Sequence, residues 1–432
     1  MSTFQLIVIS IFVSFIIIGV GTFALFGGAF GGGGVGTVTI WGTEPQGTME
    51  FVLETMHGSD KSFENVHYIE QDPAAYEGML LNAMASGSAP DLFMVTQEQL
   101  GGFSDKVVTI PYGTVSQSEF VSSYIDEGQL FLTPQGSLAL PFSVDPMVMY
   151  WNRDFFASAG VAQAPQYWND FLTLAPKMYS ANASQNITRT AVALGSWSNI
   201  LHAKEILSAL FMQAGEFITK KNTQGAIVPV FGQSGTGGNS PAESALRFYT
   251  EFSNPGRSNY SWNRALPRSD QAFVGGQLGV YFGFASEYAS LAARNPNLRF
   301  GVAVMPQLQG SGGRLTYGVL TGLSIPKAAK NIQGAALIAQ KLTGVQAATL
   351  LAQQTNLPSV RRDVSLDTTA STVADIFVQS ALMSYGWIDP GHVATDKVFL
   401  DMIESVVSGR GDPATAVSEA SQEFVRLIPV TY

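Results

Sequence analysis

The sequence predicts an α/β fold built as two lobes, and three observations carry that expectation. From Thr37 onward, short apolar runs alternate with amphipathic stretches, which is the pattern of parallel strands joined by helical crossovers. The chain has 432 residues, too many for one compact core and enough for two lobes with an appendage. Between Leu138 and Gly160 two apolar runs, Ser137 to Phe142 and Met147 to Trp151, are broken by Ser143, Asp145 and Pro146. Such a pair suits a chain passing from one sheet to another, with Asp145 at the lip of a cleft. The same residues also suit an ordinary buried strand pair with a solvated turn acid.

Composition narrows the classes of function. Hydrophobic residues make up 46% of the chain and charged residues 13%, which is not a disordered composition. A formal net charge of −10 and no cluster of Lys or Arg argue against a nucleic-acid partner. Cysteine is absent, so disulfides, thiolate metal sites, cysteine nucleophiles and a lipid-modified cysteine are all excluded.

Phe4 to Phe26 is an uncharged apolar run, about long enough to cross a ~30 Å hydrocarbon layer as a helix. No Lys or Arg precedes Lys61, and a cleaved leader would have a basic start and a shorter core. The expectation is an uncleaved transmembrane anchor over residues 4–26, with the rest of the chain outside the cytoplasm; cleavage near Ala29 is the alternative. Residues 27–36 are nearly all glycine and form a tether reaching roughly 17 Å. Gly31, Gly33 and Gly36 satisfy the dinucleotide fingerprint in letters only, because a strand must precede it and a helix must follow.

Further elements follow in chain order. Val38–Trp41, Val66–Glu70 and Asp91–Val95 read as strands, and Met49–Met56 as a helix. Asp72-Pro73 supplies a cap and a first-turn proline for a second helix, whose core face is Tyr76, Met79, Leu80, Ala83 and Met84. Helices are expected over Tyr167–Tyr179, Ile200–Ala214, Ser286–Arg294, Ile332–Leu342 and Val345–Gln354. Strands are expected over Arg189–Leu194, Leu278–Phe284, Arg299–Met305 and Leu315–Ile325, with a hairpin or loop insertion over Lys220–Asn239. Ser240-Pro241-Ala242-Glu243 and Asp412-Pro413 are helix starts.

No motif for hydrolysis, phosphate cradling or zinc chemistry occurs, and His57, His67, His202 and His392 lack a paired ligand nearby. No catalytic residue, metal ligand or cofactor is therefore expected. Aromatic residues instead recur beside small and polar ones at strand ends: Trp41 to Glu44, Ser196 to Asn199, Tyr281 to Phe284 and Tyr385 to Trp387. Ligands of open α/β sheets sit at such ends. A sugar presents a C–H face to an aromatic ring and a rim of hydroxyls to amides and carboxylates.

The crossing stretch, Pro141-x-x-x-Asp145 followed by Trp151-Asn152-Arg153-Asp154-x-Phe156, resembles the extracellular solute-binding proteins of carbohydrate ABC importers, the maltose-binding type (family 1). Ala164 to Phe171, Ala272 to Gly276, Tyr281 to Gly283 and Ser88 to Phe93 are similar to further blocks of that family, in the same order. The resemblance implies a type II periplasmic-binding-protein-like fold, with residues 37–142 and 320–356 in one lobe and residues 143–319 and 357–432 in the other. It implies ligand contacts at Trp41, Glu44, Asp145, Trp197, Phe284 and Trp387, and no enzymatic activity. A sugar or oligosaccharide and an ABC permease are the implied partners of a monomer. A surface glycosidase or an adhesive protein on the same scaffold is the alternative.

Overall fold

The computed structural model describes residues 35–233, 240–310, 313–364 and 372–428. The expected anchor at 4–26 and most of the glycine tether lie outside the described residues. Among the described residues no single helix is long and apolar enough to cross a membrane. Packing divides the described residues into two compact units, one from 35–94 with 324–342 and the other from within 95–323 and 343–428. This is a partition by contacts, distinct from the lobe division expected from the crossing segments.

In the first unit, strand Val38–Gly42 lies between two parallel partners, Val66–Glu70 and Leu92–Thr96. Parallel neighbours need crossovers, and helices Gln46–Ser59 and Tyr76–Ser86 supply them. Val38, Ile40, Met49, Val52, Leu92 and Phe93 are fully buried between the layers. The Asp91 carboxylate ties the unit together by accepting from the amides of Thr39 (3.0 Å) and Asn331 (2.9 Å). Asn331 in turn accepts from Gly334 at the start of helix Ile332–Leu342 and donates to the carbonyl of Val35.

The expected helix start at Asp72-Pro73 is corrected. The Asp72 side chain accepts from the Ala74 amide, and its carbonyl accepts from Ala75, so a closed turn forms first and the helix begins at Tyr76. Tyr76, Leu80 and Ala83 of the expected core face are buried, whereas Met79 is 41% exposed.

The second unit is organised around one strand of 13 residues, Leu140–Asn152. Two strands separated by a break are expected there, and the structure corrects this. The strand runs without interruption and changes partner instead. Through Pro146 it pairs antiparallel with Gly318–Ser324, and Pro146 faces Gly318 in the last pair of that ladder. From Met147 it pairs antiparallel with Leu278–Phe284, and from Val148 with Phe300–Val304. Proline cannot donate to a ladder, so the missing N–H falls at the junction of two pairing regimes. Leu278–Phe284 pairs in parallel with Ile187–Val192 on its other side.

Met147, Val148, Met149 and Tyr150 are buried on both faces of this sheet, among Trp168, Phe171, Leu207, Phe211 and Trp262. Both expected cap signals are realised. Ser240 Oγ accepts from the Glu243 amide (3.1 Å), and Asp412 Oδ1 from the Thr415 amide (2.8 Å), each with proline in the first turn. The insertion contains the expected hairpin, Thr219–Lys221 against Ile227–Pro229.

Candidate functional site

Asp145 lies one residue before the junction of the crossing strand, beside the end of Leu278–Phe284. Its Oδ1 accepts from the backbone N–H of Ser286 at 3.1 Å. Ser286 belongs to a single 3₁₀ turn, Ala285–Glu287, that follows the strand directly. Asp145 therefore accepts an amide from the turn that follows strand Leu278–Phe284. Burial pushes its carboxyl up to about 6, the Ser286 bonds oppose that, Glu287 adds to it and His202 offsets it.

Glu287 anchors the same wall. Its carboxylate accepts from Tyr281 Oη (2.5 Å) and from the Phe284 amide (2.7 Å), and pairs with His202 Nε2 at 2.8 Å. A side chain on Gly283 would press to 2.8 Å from the Glu287 carboxylate and 2.5 Å from the Tyr281 ring, so this fold-back needs glycine. Burial alone would raise the Glu287 carboxyl, yet His202 and Tyr281 hold it below its ordinary value. His202 shows the complementary shift. Burial favours its neutral form, but the bond to Glu287 and the charges of Glu205, Glu287 and Asp145 raise its pKa.

His202 also sits in the left-handed backbone region, φ +63°, directly before helix Ala203–Gln213. That conformation is uncommon for a residue with a Cβ and is held here by the surroundings. The His202 ring meets Phe284 edge-on at 4.8 Å, and Phe284 lies 6.5 Å from Tyr317. Tyr317 Oη donates to Glu98 Oε1 at 2.5 Å. Burial first, and then the charge of Glu205, push the Glu98 carboxyl up to about 7. Asp145, Glu287, His202 and Glu98 thus lie along one charged wall of the second unit, with Glu205 near enough to act on His202 and Glu98 through its charge.

Two buried supports stand behind the wall. The Gln97 side chain acts as a strand partner: its Nε2 donates to the Gly318 carbonyl and its Oε1 accepts from the Leu320 amide, both at 2.8 Å. Lys204 is 5% exposed and donates to Asp389 (2.8 Å), Thr395 (2.8 Å) and Asp396 (2.7 Å). Among the described residues no group of three or more acidic or histidine side chains is placed to hold a metal ion.

The expected contacts divide into four sets. Asp145 and Phe284 come together on the wall just described. Trp197 is half-buried in the loop that follows Ile187–Val192 and packs on the core of the same unit. Trp41 and Glu44 belong to the first unit, where their carbonyls accept from Tyr76 Oη (3.0 Å) and Tyr68 Oη (2.6 Å). Trp387 is 2% exposed, parallel to Phe399 at 6.3 Å, with Phe424 edge-on and Lys204 5.4 Å from its ring centre, so in this structure its indole packs in the core of the second unit.

His202, Glu205, Glu287, Glu98 and Tyr317 were not expected at a site. Their partners lie far off in sequence, 85 residues for His202–Glu287 and 219 for Tyr317–Glu98, so no local motif announces them.

A binding protein of Brucella abortus (strain 2308) is 22% identical over 361 residues, spanning 79% of this chain and 80% of its own. Among solved structures, the GacH receptor of Streptomyces glaucescens GLA.O, determined unliganded and with acarbose, matches with a TM-score of 0.69 at 15% identity. The match covers 92% of this chain and 99% of that one. A cyclo/maltodextrin-binding protein complexed with maltotetraose matches with a TM-score of 0.73 at 13% identity, covering 93% and 99%. At such identities the likeness is one of fold. The family pattern described as bacterial extracellular solute-binding protein matches residues 64–349, about two thirds of the chain. By that match the chain belongs to the bacterial extracellular solute-binding proteins, a family of binders and not of enzymes.

Proposed function

We propose that this protein captures a carbohydrate outside the cytoplasm and delivers it to an ABC permease, tethered to the membrane through residues 4–26. The observation that carries the reading is the wall at the end of strand Leu278–Phe284. There a carboxylate positioned by an amide, an imidazole–carboxylate pair and aromatic rings stand side by side. Sugar hydroxyls both donate and accept, and this mixture of partners meets them without a full charge on the ligand. The sugars named for the two matched structures support the same class of ligand. Trp41 and Glu44 in the first unit, and Asp145, Trp197, Phe284 and Trp387 in the second, are the proposed sugar contacts. The apolar, uncharged composition of residues 4–26 supports the tether.

A thermal-shift panel of oligosaccharides tests the reading. At ~100 times its dissociation constant the true ligand stabilises the protein by about 2.7 kcal/mol. No shift with any sugar, alongside a shift with peptides, removes the carbohydrate assignment.

Asp145→Asn separates binding from stability. A raised carboxyl pKa means the folded state resists ionisation. That penalty is absent below the ordinary value of 3.8 and fully present above about 6. At pH 7 the variant should gain roughly 1–2 kcal/mol of stability while losing about tenfold in sugar affinity. At pH 4 the stability gain should vanish. Equal melting temperatures of variant and parent at both pH values would show that Asp145 is solvated.

A further inference from the structure

A hollow of about 280 Å³ opens in the second unit, away from the charged wall. Its walls are Leu130, the hairpin residues Lys220, Lys221 and Ile227, and the rings of Phe217 and Tyr385. The two rings meet edge-on with centres 6.0 Å apart. None of Asp145, His202, Glu205, Glu287 and Glu98 lines it.

The hollow is cationic in a protein whose net charge is −10. Lys221 Nζ donates to the carbonyls of Leu130 and Leu132, the latter at 2.7 Å. Lys220 Nζ sits 4.4 Å from the centre of the Phe217 ring. Among the described residues neither lysine takes part in an ion pair. The neighbouring acids are engaged elsewhere. Asp126 pairs with Arg362 at 2.8 Å, and Glu127 accepts from Ser384 at 2.6 Å. Thr219 Oγ1 is committed to the Ile388 carbonyl.

An ammonium withdrawn from water with only carbonyl partners is costly, and a counter-ion relieves the cost. We propose that this hollow binds a small organic anion, whose acidic group pairs with Lys221 and whose flat apolar body lies against Phe217 and Tyr385. A volume near the ~300 Å³ lower end of ligand pockets suits one ring with one acidic group. Desolvation of Lys221, which lowers its amine to about 8, agrees with a missing counter-ion.

The test uses the full-length chain with benzoate and phenyl phosphate as probes and inorganic phosphate as the comparison. Calorimetry should show benzoate or phenyl phosphate binding at millimolar concentration or tighter. Affinity should fall about tenfold or more in Lys221→Met and clearly in Phe217→Leu, and stay within a few-fold in Lys221→Arg. Acetylation of Lys221, followed by peptide mass spectrometry, should slow at least several-fold when the probe is bound. The proposal is overturned if neither ring-bearing probe binds, if Lys221→Met binds them like the parent, or if inorganic phosphate protects Lys221 as well as they do. Because no residue of the charged wall is involved, failure of every sugar to bind leaves these outcomes unaffected.

Discussion

Replacing Lys204 with methionine is expected to destabilise the protein by about 3–5 kcal/mol, read as a fall in the urea midpoint at pH 7. The physical cause is what the substitution leaves behind. Asp389 is fully buried, and two of its bonds come from Lys204 and from Thr395, which itself also serves Lys204. Without the ammonium, a buried carboxylate keeps the Thr395 hydroxyl and the Gly391 amide but loses its counter-charge. Burial works against the Lys204 ammonium, yet Asp389 and Asp396 raise its pKa overall. A raised lysine contributes its full stabilisation below its ordinary value near ~10.4, so at pH 7 all of it is at stake. The double variant Lys204→Met with Asp389→Asn should recover a large part of the loss, because the orphaned charge is gone. A loss below ~1 kcal/mol in the single variant would place this pair among solvated surface bridges.

Trp387→Ala carries the second large effect, a loss of about 3–5 kcal/mol from an emptied core position. The ring stacks on Phe399 and meets Phe424, which draws helices His392–Val407 and Pro413–Leu427 into one cluster. Among the described residues the Trp387 Nε1 has no hydrogen-bond partner, so Trp387→Phe forfeits volume but no bond and should cost much less. Sugar affinity per folded molecule, measured well below the melting temperature, should fall in Trp387→Ala as well, because the ring is a proposed contact. Affinity within a few-fold of the parent would leave Trp387 to the core alone.

The elements legible in the sequence are those whose cause is local. Ser240-Pro241 and Asp412-Pro413 satisfy the first helical amides from within a few residues, and both helices begin where these signals stand. Asp72-Pro73 carries the same letters but closes a turn, because its side chain found the Ala74 amide before a helical turn could form. Pro146 misled for the opposite reason. Its missing donor reads as a break, and only the distant partner Gly318 reveals that the strand continues past it. At the candidate site, the order of residues in the crossing stretch singles out Asp145. His202 and Glu98 carry no such signal, since their partners Glu287 and Tyr317 are brought near by the sheet and not by spacing. An indole serves a core as readily as a sugar, and residue type alone does not separate the two for Trp387, which packs in the core of the second unit.

The long strand Leu140–Asn152 also sets a clock. Its partners are made late: Tyr150 awaits the Phe284 carbonyl 134 residues on, and Met147 awaits Thr316 after 169. At ~5–20 residues per second, synthesis leaves this apolar strand without neighbours for roughly 7 to 34 seconds. Met147, Val148, Met149 and Tyr150, all completely covered in the folded protein, must be kept from other chains throughout that interval. A strand that organises the finished unit thus stays apolar and without those partners for much of synthesis.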